Sequence, residues 1–281
     1  MQIIDGRALA QTIRDHIKTK GVQAKLGVLL VGNDPASQLY VNLKEKAAHE
    51  VGIETDIRHL PAFTPDEELK ELIASWNADP KINGILIQLP LPEGHDTDAL
   101  IATMDPAKDV DGFHPKNIEA LYAGNATMIS PVHEGILRMI ASTGISMNTT
   151  KATIIANSDI FSKPLEYLLR KAGAFVTILK PDELERKILL TSNIIIVAVG
   201  HAKLLNASHI SPNTVVIDVG TNRTADGKTV GDVDAEDVKN IPGWLSPVPG
   251  GVGPMTIALL LKNVATAQSL HSSAHGHADG A

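Results

Sequence analysis

The chain has 281 residues, 43 % apolar and 20 % charged, enough for two domains of roughly 150 residues or one large α/β unit with a full core. It has no cysteine, which excludes disulfides, thiolate zinc sites, iron–sulfur clusters and a cysteine nucleophile. Lysine and arginine number 25 against 32 acids, a net charge of −7, and with no long basic run a nucleic-acid surface is not expected.

The opening MQIIDGRALAQ lacks the basic-then-apolar build of a signal peptide. The longest apolar runs are about seven residues, against the roughly 20 needed to span a bilayer. The expectation is a cytoplasmic protein with no membrane partner. Four Phe, three Tyr and two Trp leave the core to aliphatic side chains.

Apolar runs of strand length alternate with segments of helical period, which predicts an α/β fold with a mostly parallel sheet wrapped by helices. Residues 26–31 read as a strand. A helix follows, capped by Asp34, with Pro35 at its first position and Gly52 closing it. Thr64-Pro65-Asp66-Glu67 has the form of a capping box opening a helix to about Asn77. Residues 84–88 form the next strand, ending in Leu89-Pro90-Leu91-Pro92. Residues 116–148 are looser, with one helix over 134–142. A second alternation places strands at 153–156, 176–179, 193–199 and 215–219, so the chain reads as two lobes. The segment 247–254 is a Pro/Gly-dense loop before an apolar helix over 255–270. The tail from His271 is small and polar, and is expected to be unstructured.

Four places carry candidate chemistry. Tyr40 and Lys44 stand at i and i+4 on one helix face. The lysine is either solvated, or partly desolvated with a lowered pKa that suits proton transfer near neutrality. Gln88 ends a strand, where parallel sheets bind ligands, and could orient a lysine or a substrate amide; an ordinary turn is the alternative. Asp109-Val110-Asp111-Gly112 only faintly resembles a metal loop, whereas one such carboxylate could accept two hydrogen bonds from an amino-imino heterocycle such as a pterin. The run from Pro247 to Thr256 sets three glycines between prolines just before a helix, a loop whose backbone can approach a ligand closely.

The segments VGNDPASQLYVNLKEKA, GILIQLPLP, KDVDGFHP, VIDVGTNR and PVPGGVGPMT occur in this order. Together they resemble the bifunctional methylenetetrahydrofolate dehydrogenase/methenyltetrahydrofolate cyclohydrolase family, from Ile4 to about Ala267. The resemblance implies a two-lobed α/β fold: an N-terminal substrate lobe (1–115 with 256–281), a Rossmann-like parallel-sheet nucleotide lobe (116–255), and a folate cleft between them. It implies that Lys44 is the catalytic lysine, Tyr40 the ring packing on the folate, Gln88 the partner that positions Lys44, and Asp111 the pterin anchor. Gly250, Gly251 and Pro254 would contact substrate. Asn157, Ser158, Lys163, Lys180 and Thr221 would hold the cofactor, NADP in preference to NAD. The implied partners are tetrahydrofolate derivatives and a second copy in a homodimer.

The cofactor half departs from the family pattern. Where the family carries Gly-Arg-Ser…Val-Gly-x-Pro, this chain reads Ala156-Asn157-Ser158-Asp159-Ile160-Phe161-Ser162-Lys163-Pro164. Lys180-Pro181-Asp182 stands for His-Ser-x-Thr, and Ser130-Pro131-Val132-His133 for Pro-Cys-Thr-Pro. The readings are therefore a bifunctional enzyme with a divergent cofactor loop, a cyclohydrolase with weak or lost dehydrogenase activity, or a non-catalytic folate-binding protein. Lys180 lies 22 residues after Ser158, where dinucleotide folds meet the adenosine ribose, and a basic side chain there suits a 2′-phosphate.

Overall fold

Aliphatic runs covered on both faces become the central strands, and the segments between them become helices. The computed structural model describes residues 1–275. It begins with β1 (Gln2–Ile3), α1 (Gly6–Thr19), β2 (Ala24–Val31), α2 (Pro35–Glu50), β3 (Ile53–Leu60), α3 (Asp66–Ala78) and β4 (Gly84–Ile87). Three helices follow, α4 (Thr97–Thr103), α5 (Pro115–Tyr122) and α6 (Pro131–Ser142). The second series comprises β5 (Lys151–Ala156), α7 (Asp159–Lys171), β6 (Phe175–Leu179), α8 (Arg186–Leu189), β7 (Ile194–Ala198) and β8 (Thr214–Asp218). Then come β9 (Asn222–Arg223), β10 (Thr229–Val230), α9 (Ala235–Val238), β11 (Gly243–Leu245) and the long α10 (Val252–His275). The chain divides into two compact units, 11–131 with 257 onward, and 1–10 with 132–256.

In the first unit β2 is the middle of a three-stranded parallel sheet ordered β3-β2-β4. Its alternate residues feed two cores. Leu26, Val28 and Leu30 pack with Val41 and Ala48 of α2 and with Leu260, Leu261 and Val264 of α10. Leu29 and Val31 pack with Leu69, Ile73 and Trp76 of α3 and with Leu100 of α4. Each such side chain contributes about 1.5–3 kcal/mol by leaving water. Gly27 is bare because the Trp76 ring would lie 2.9 Å from a Cβ there.

The second unit is built on a six-stranded sheet, ordered β1-β11-β8-β7-β5-β6 and parallel throughout. β5 pairs with β6 on one side and β7 on the other, so the order reverses there and opens a crevice at the carboxyl ends of β5 and β7.

The strands at 26–31, 84–88 and the four of the second series form as expected, to within two residues. β3, α1, α4 and α5 were among the elements that went unread, β3 because its IETDIRHL mixes charge into the strand. The division at 115/116 and 255/256 moves. Residues 1–10 join the six-stranded sheet, because β1 pairs with β11 and the Met1 ammonium donates to the carbonyls of Lys239 and Ile241. Residues up to 131 stay with the first unit, where Asn263 Nδ2 donates to both Val110 O and Ile129 O. The capping box at Thr64 does not form. Pro65 is the N-cap of α3, without a side-chain bond, and Thr64 Oγ1 turns back to Pro61 O at 2.8 Å. α10 starts three residues early and runs on through His275, past the expected unstructured start at His271; the rest of the tail lies outside the described residues.

Candidate active site

α2 is started by its sequence. The Asp34 carboxylate accepts from Ser37 N at 2.7 Å and Pro35 opens the helix, so Tyr40 and Lys44 stand one turn apart, both half-buried. The Lys44 ammonium donates to Gln88 Oε1 at 2.8 Å. Gln88 follows β4 directly and is buried. Its Nε2 donates to Leu89 O at 2.7 Å, which fixes the amide with its oxygen toward the lysine. The Leu89–Pro90 peptide is cis. Loss of water around the ammonium lowers the Lys44 pKa, and the nearby Asp111 charge partly opposes this. Burial pushes the Asp111 carboxyl up to about 6, with Lys44 pulling it down and Asp109 adding to the rise. The site therefore holds a lysine able to exchange a proton nearer neutrality and a carboxylate that titrates close to it.

Two residues beside Asp111 build this geometry, and the sequence reading assigned neither a role. Asp109 is fully buried and accepts from Gly112 N, His114 N and Asn117 Nδ2 at 3.0, 2.8 and 2.9 Å. Gly112 has φ +76°, and a Cβ there would meet Ser130 N at 2.9 Å. Buried Lys108 donates to the carbonyls of Trp76, Asn77 and Asp79, satisfying the C-terminal end of α3. The alternation of acids was the only signal: the Asp109 carboxylate holds the loop, and the Asp111 carboxylate, also desolvated, interacts with the Lys44 charge. Among the described residues no cluster of His, Asp and Glu could hold a metal ion.

Gly250, Gly251 and Pro254 fall in the other unit. Gly250 adopts φ +114° beside the Arg7 guanidinium. Gly251 is bare because a Cβ would meet Pro247 O at 2.6 Å. Pro254 lies in the first turn of α10 rather than in the loop. Packing alone thus accounts for Gly251.

At the crevice of the six-stranded sheet lies a cleft of about 550 Å³, lined by Asn157, Lys180, Pro181 and Asp182 on one side and Val199, His201 and Leu204 on the other. Asn157 Nδ2 donates to Val199 O at 2.8 Å, tying the ends of β5 and β7. Ser158 is the N-cap of α7 but makes no side-chain cap bond, so the first amides of that helix lack the usual internal acceptor. Lys180 donates to Asn157 O and to Asp159 Oδ1, at 3.2 and 3.1 Å. Among the expected cofactor residues the structure brings Asn157 and Lys180 into the cleft wall, with Ser158 between Asn157 and α7. Lys163 points instead toward Glu166 of its own helix, at 3.9 Å, and exposed Thr221 is outside the lining. His201 and Leu204 were missed; their position just past a strand end was the available signal. Two departures from the family pattern meet: His133 Nε2 donates to Phe161 O at 2.9 Å and the rings lie 5.3 Å apart. Burial pushes His133 down to about 4, so it is neutral there.

Comparison with known proteins accords with both halves. Residues 4–111 match the catalytic-domain model of tetrahydrofolate dehydrogenase/cyclohydrolase, and residues 130–272 match its NAD(P)-binding domain. The chain belongs to the tetrahydrofolate dehydrogenase/cyclohydrolase family. It is 43 % identical over 268 residues to the bifunctional protein FolD of Acidiphilium cryptum, covering 93 % of this chain and 96 % of that one. The crystal structure of bifunctional FolD from Campylobacter jejuni superposes with a TM-score of 0.91 at 37 % identity, covering 96 % of this chain and 99 % of that one. The Trypanosoma brucei enzyme complexed with NADP and an inhibitor gives 0.91 at 30 % identity, covering 95 % and 97 %.

Proposed function

We propose that this protein oxidises 5,10-methylenetetrahydrofolate to 5,10-methenyltetrahydrofolate with NADP and hydrolyses the product to 10-formyltetrahydrofolate. The observation that carries this reading is the Lys44–Gln88 hydrogen bond at 2.8 Å beside Asp111. Bound NADP supplies the hydride acceptor. In the oxidation the folate nitrogens carry the developing cation, so the protein has only to align the reactants. Hydrolysis asks more of the side chains: water adds to the methenyl carbon, the bond from that carbon to N5 breaks, and one proton is released. Lys44, desolvated and held by Gln88, takes the proton from the attacking water and returns one to the leaving nitrogen. Asp111, ionised above about pH 6, accepts the paired hydrogen bonds of the pterin, and Tyr40 packs on its ring.

The cleft fits a dinucleotide: it lies at the switch point of a parallel sheet, and α7 opens beside it without an internal cap. Asn157 and Ser158 hold the diphosphate side, and Lys180 reads a 2′-phosphate. The same reading makes the protein a cytoplasmic homodimer; no helix among the described residues is long and apolar enough to cross a membrane. The test supplies methylenetetrahydrofolate while NADP or NAD is titrated, following nicotinamide reduction, and separately follows loss of methenyltetrahydrofolate. Saturable reduction with NADP and independent hydrolysis are expected. Hydrolysis without reduction of either dinucleotide overturns the dehydrogenase half, and no hydrolysis overturns the other.

A further inference from the structure

The loop that follows β7 presents three successive backbone amides, those of Val199, Gly200 and His201, to a single acceptor. That acceptor is the carboxylate of Asp232, which is fully buried. Its Oδ2 accepts from Val199 N and Gly200 N at 2.7 and 3.0 Å, and its Oδ1 accepts from His201 N at 2.8 Å and Asn222 Nδ2 at 2.9 Å. A concave run of amides at the end of a parallel strand is an anion-binding arrangement, and here a side chain of the chain itself fills it. The backbone around Asp232 grips the same wall: Leu205 N donates to Asp232 O at 2.9 Å, and Lys203 N to Gly231 O at 3.1 Å.

A second buried carboxylate holds Asp232 in turn. Asp218, at the end of β8, accepts from Gly220 N, Asp232 N and Val233 N at 3.0, 3.0 and 2.9 Å. Each acid is fitted against a glycine of the other segment. A Cβ on Gly220 would lie 2.1 Å from Asp232 Cγ, and one on Gly231 would lie 1.9 Å from Asp218 Oδ2. The segments Asp218-Val219-Gly220 and Gly231-Asp232-Val233 are thus two halves of one interlock. It sits directly behind Val199, His201 and Leu204, the far wall of the cleft.

We infer that Asp232 is a positioning residue for the dinucleotide: by filling the amides of 199–201 with its own carboxylate it sets the shape of the cleft wall. It touches no catalytic group, and it belongs to the unit that does not contain Lys44, Gln88 and Asp111. Its loss should therefore separate dinucleotide binding from folate hydrolysis. The inference rests on the dinucleotide reading of the cleft.

The test is Asp232→Asn in the full chain, with NADP affinity measured by calorimetry beside methenyltetrahydrofolate hydrolysis. The amide keeps the volume but turns two donors toward backbone amides. The dissociation constant for NADP should rise about tenfold to a hundredfold, as when a charge-assisted hydrogen bond is removed. The KM for NADP should rise with it, while the kcat of oxidation and the hydrolysis rate stay within about twofold. An unchanged NADP affinity overturns the inference, as does an equal loss of hydrolysis, which would mark a general structural role. If wild type binds no dinucleotide, the cofactor reading falls and takes this inference with it. If Asp232→Asn does not fold, Asn222→Ala decides, since it removes one of the four donors to the same carboxylate: weaker NADP binding with normal hydrolysis supports the inference, and unchanged binding overturns it.

Discussion

The Lys180 ammonium, just past the end of β6 on the wall of the cleft, lies 3.1 Å from the carboxylate of Asp159 in the first turn of α7. Both side chains are well exposed, so the pair adds little to stability. Its consequence is for recognition: a 2′-phosphate must draw Lys180 away from a carboxylate that already holds it.

Two variants follow from that pair. Lys180→Ala should weaken NADP about tenfold, the size expected when a charge-assisted hydrogen bond to the phosphate is removed, and weaken NAD less. Asp159→Asn should tighten NADP relative to NAD by freeing the lysine. Calorimetric titration of both dinucleotides against both variants decides; equal effects on NADP and NAD would place phosphate recognition on other residues.

Lys44→Met should abolish methenyl hydrolysis and leave measurable folate binding, since the methionine keeps most of the stem but no proton. Gln88→Glu tests the same hydrogen bond from the other side. A carboxylate at the 2.8 Å partner position favours the charged ammonium, so the lysine pKa rises. Hydrolysis near neutrality should fall, and its pH profile should shift to more alkaline pH. Full activity in Lys44→Met, or an unshifted profile in Gln88→Glu, would end the assignment.

Asp111 gives folate binding a pH dependence of definite sign. Its carboxyl titrates at about 6, above the ordinary range, and only the ionised form accepts two hydrogen bonds. Folate affinity should be full above that pH and fall by about tenfold for each unit below it, one proton being bound in competition with the ligand. Asp111→Ala should weaken binding about tenfold or more by removing the charge-assisted hydrogen bonds, and should abolish this dependence. The same raised pKa means that the folded chain holds this proton more tightly than the unfolded one. Asp111 therefore contributes stability at low pH that is lost as pH rises through about 6. Folate dissociation constants across pH 5 to 8, a range of about three units around the titration, make the comparison.

Lys108→Met should leave the carbonyls of Trp76 and Asn77 in α3, and that of its C-cap Asp79, without their donor while keeping the buried stem. The expected cost is about 1–3 kcal/mol or somewhat more, the range for orphaned buried polar groups. Denaturant unfolding reads it directly. A change below about 0.5 kcal/mol, the size of an ordinary surface substitution, would mean that water replaces the ammonium.

The elements that could be read from the sequence are those whose cause is local. Residues 24–31 alternate between two cores because consecutive side chains of a strand face opposite ways. Asp34-Pro35 starts α2 from within its own segment, through the Asp34 cap on Ser37 N, and once the helix exists Tyr40 and Lys44 share a face. Motif order carried the assignment of Lys44, Gln88 and Asp111. Tertiary structure decided the rest, because the groups concerned are far apart in the chain. Asp232 meets amides about 30 positions earlier, and Lys108 reaches carbonyls at a similar separation. β1 is two residues long, too short to show a period, and is a strand only because β11 lies beside it. Thr64 has the residues of a capping box, yet its hydroxyl bonds Pro61 O, while the box's acid, Glu67, lies 3.7 Å from the Lys70 ammonium. Local propensity is worth tenths of a kcal/mol to about one at each position, whereas a buried acceptor left without its donor costs about 1–3 kcal/mol. Where the two compete, the long-range partner prevails, and a linear sequence does not show which partner that is.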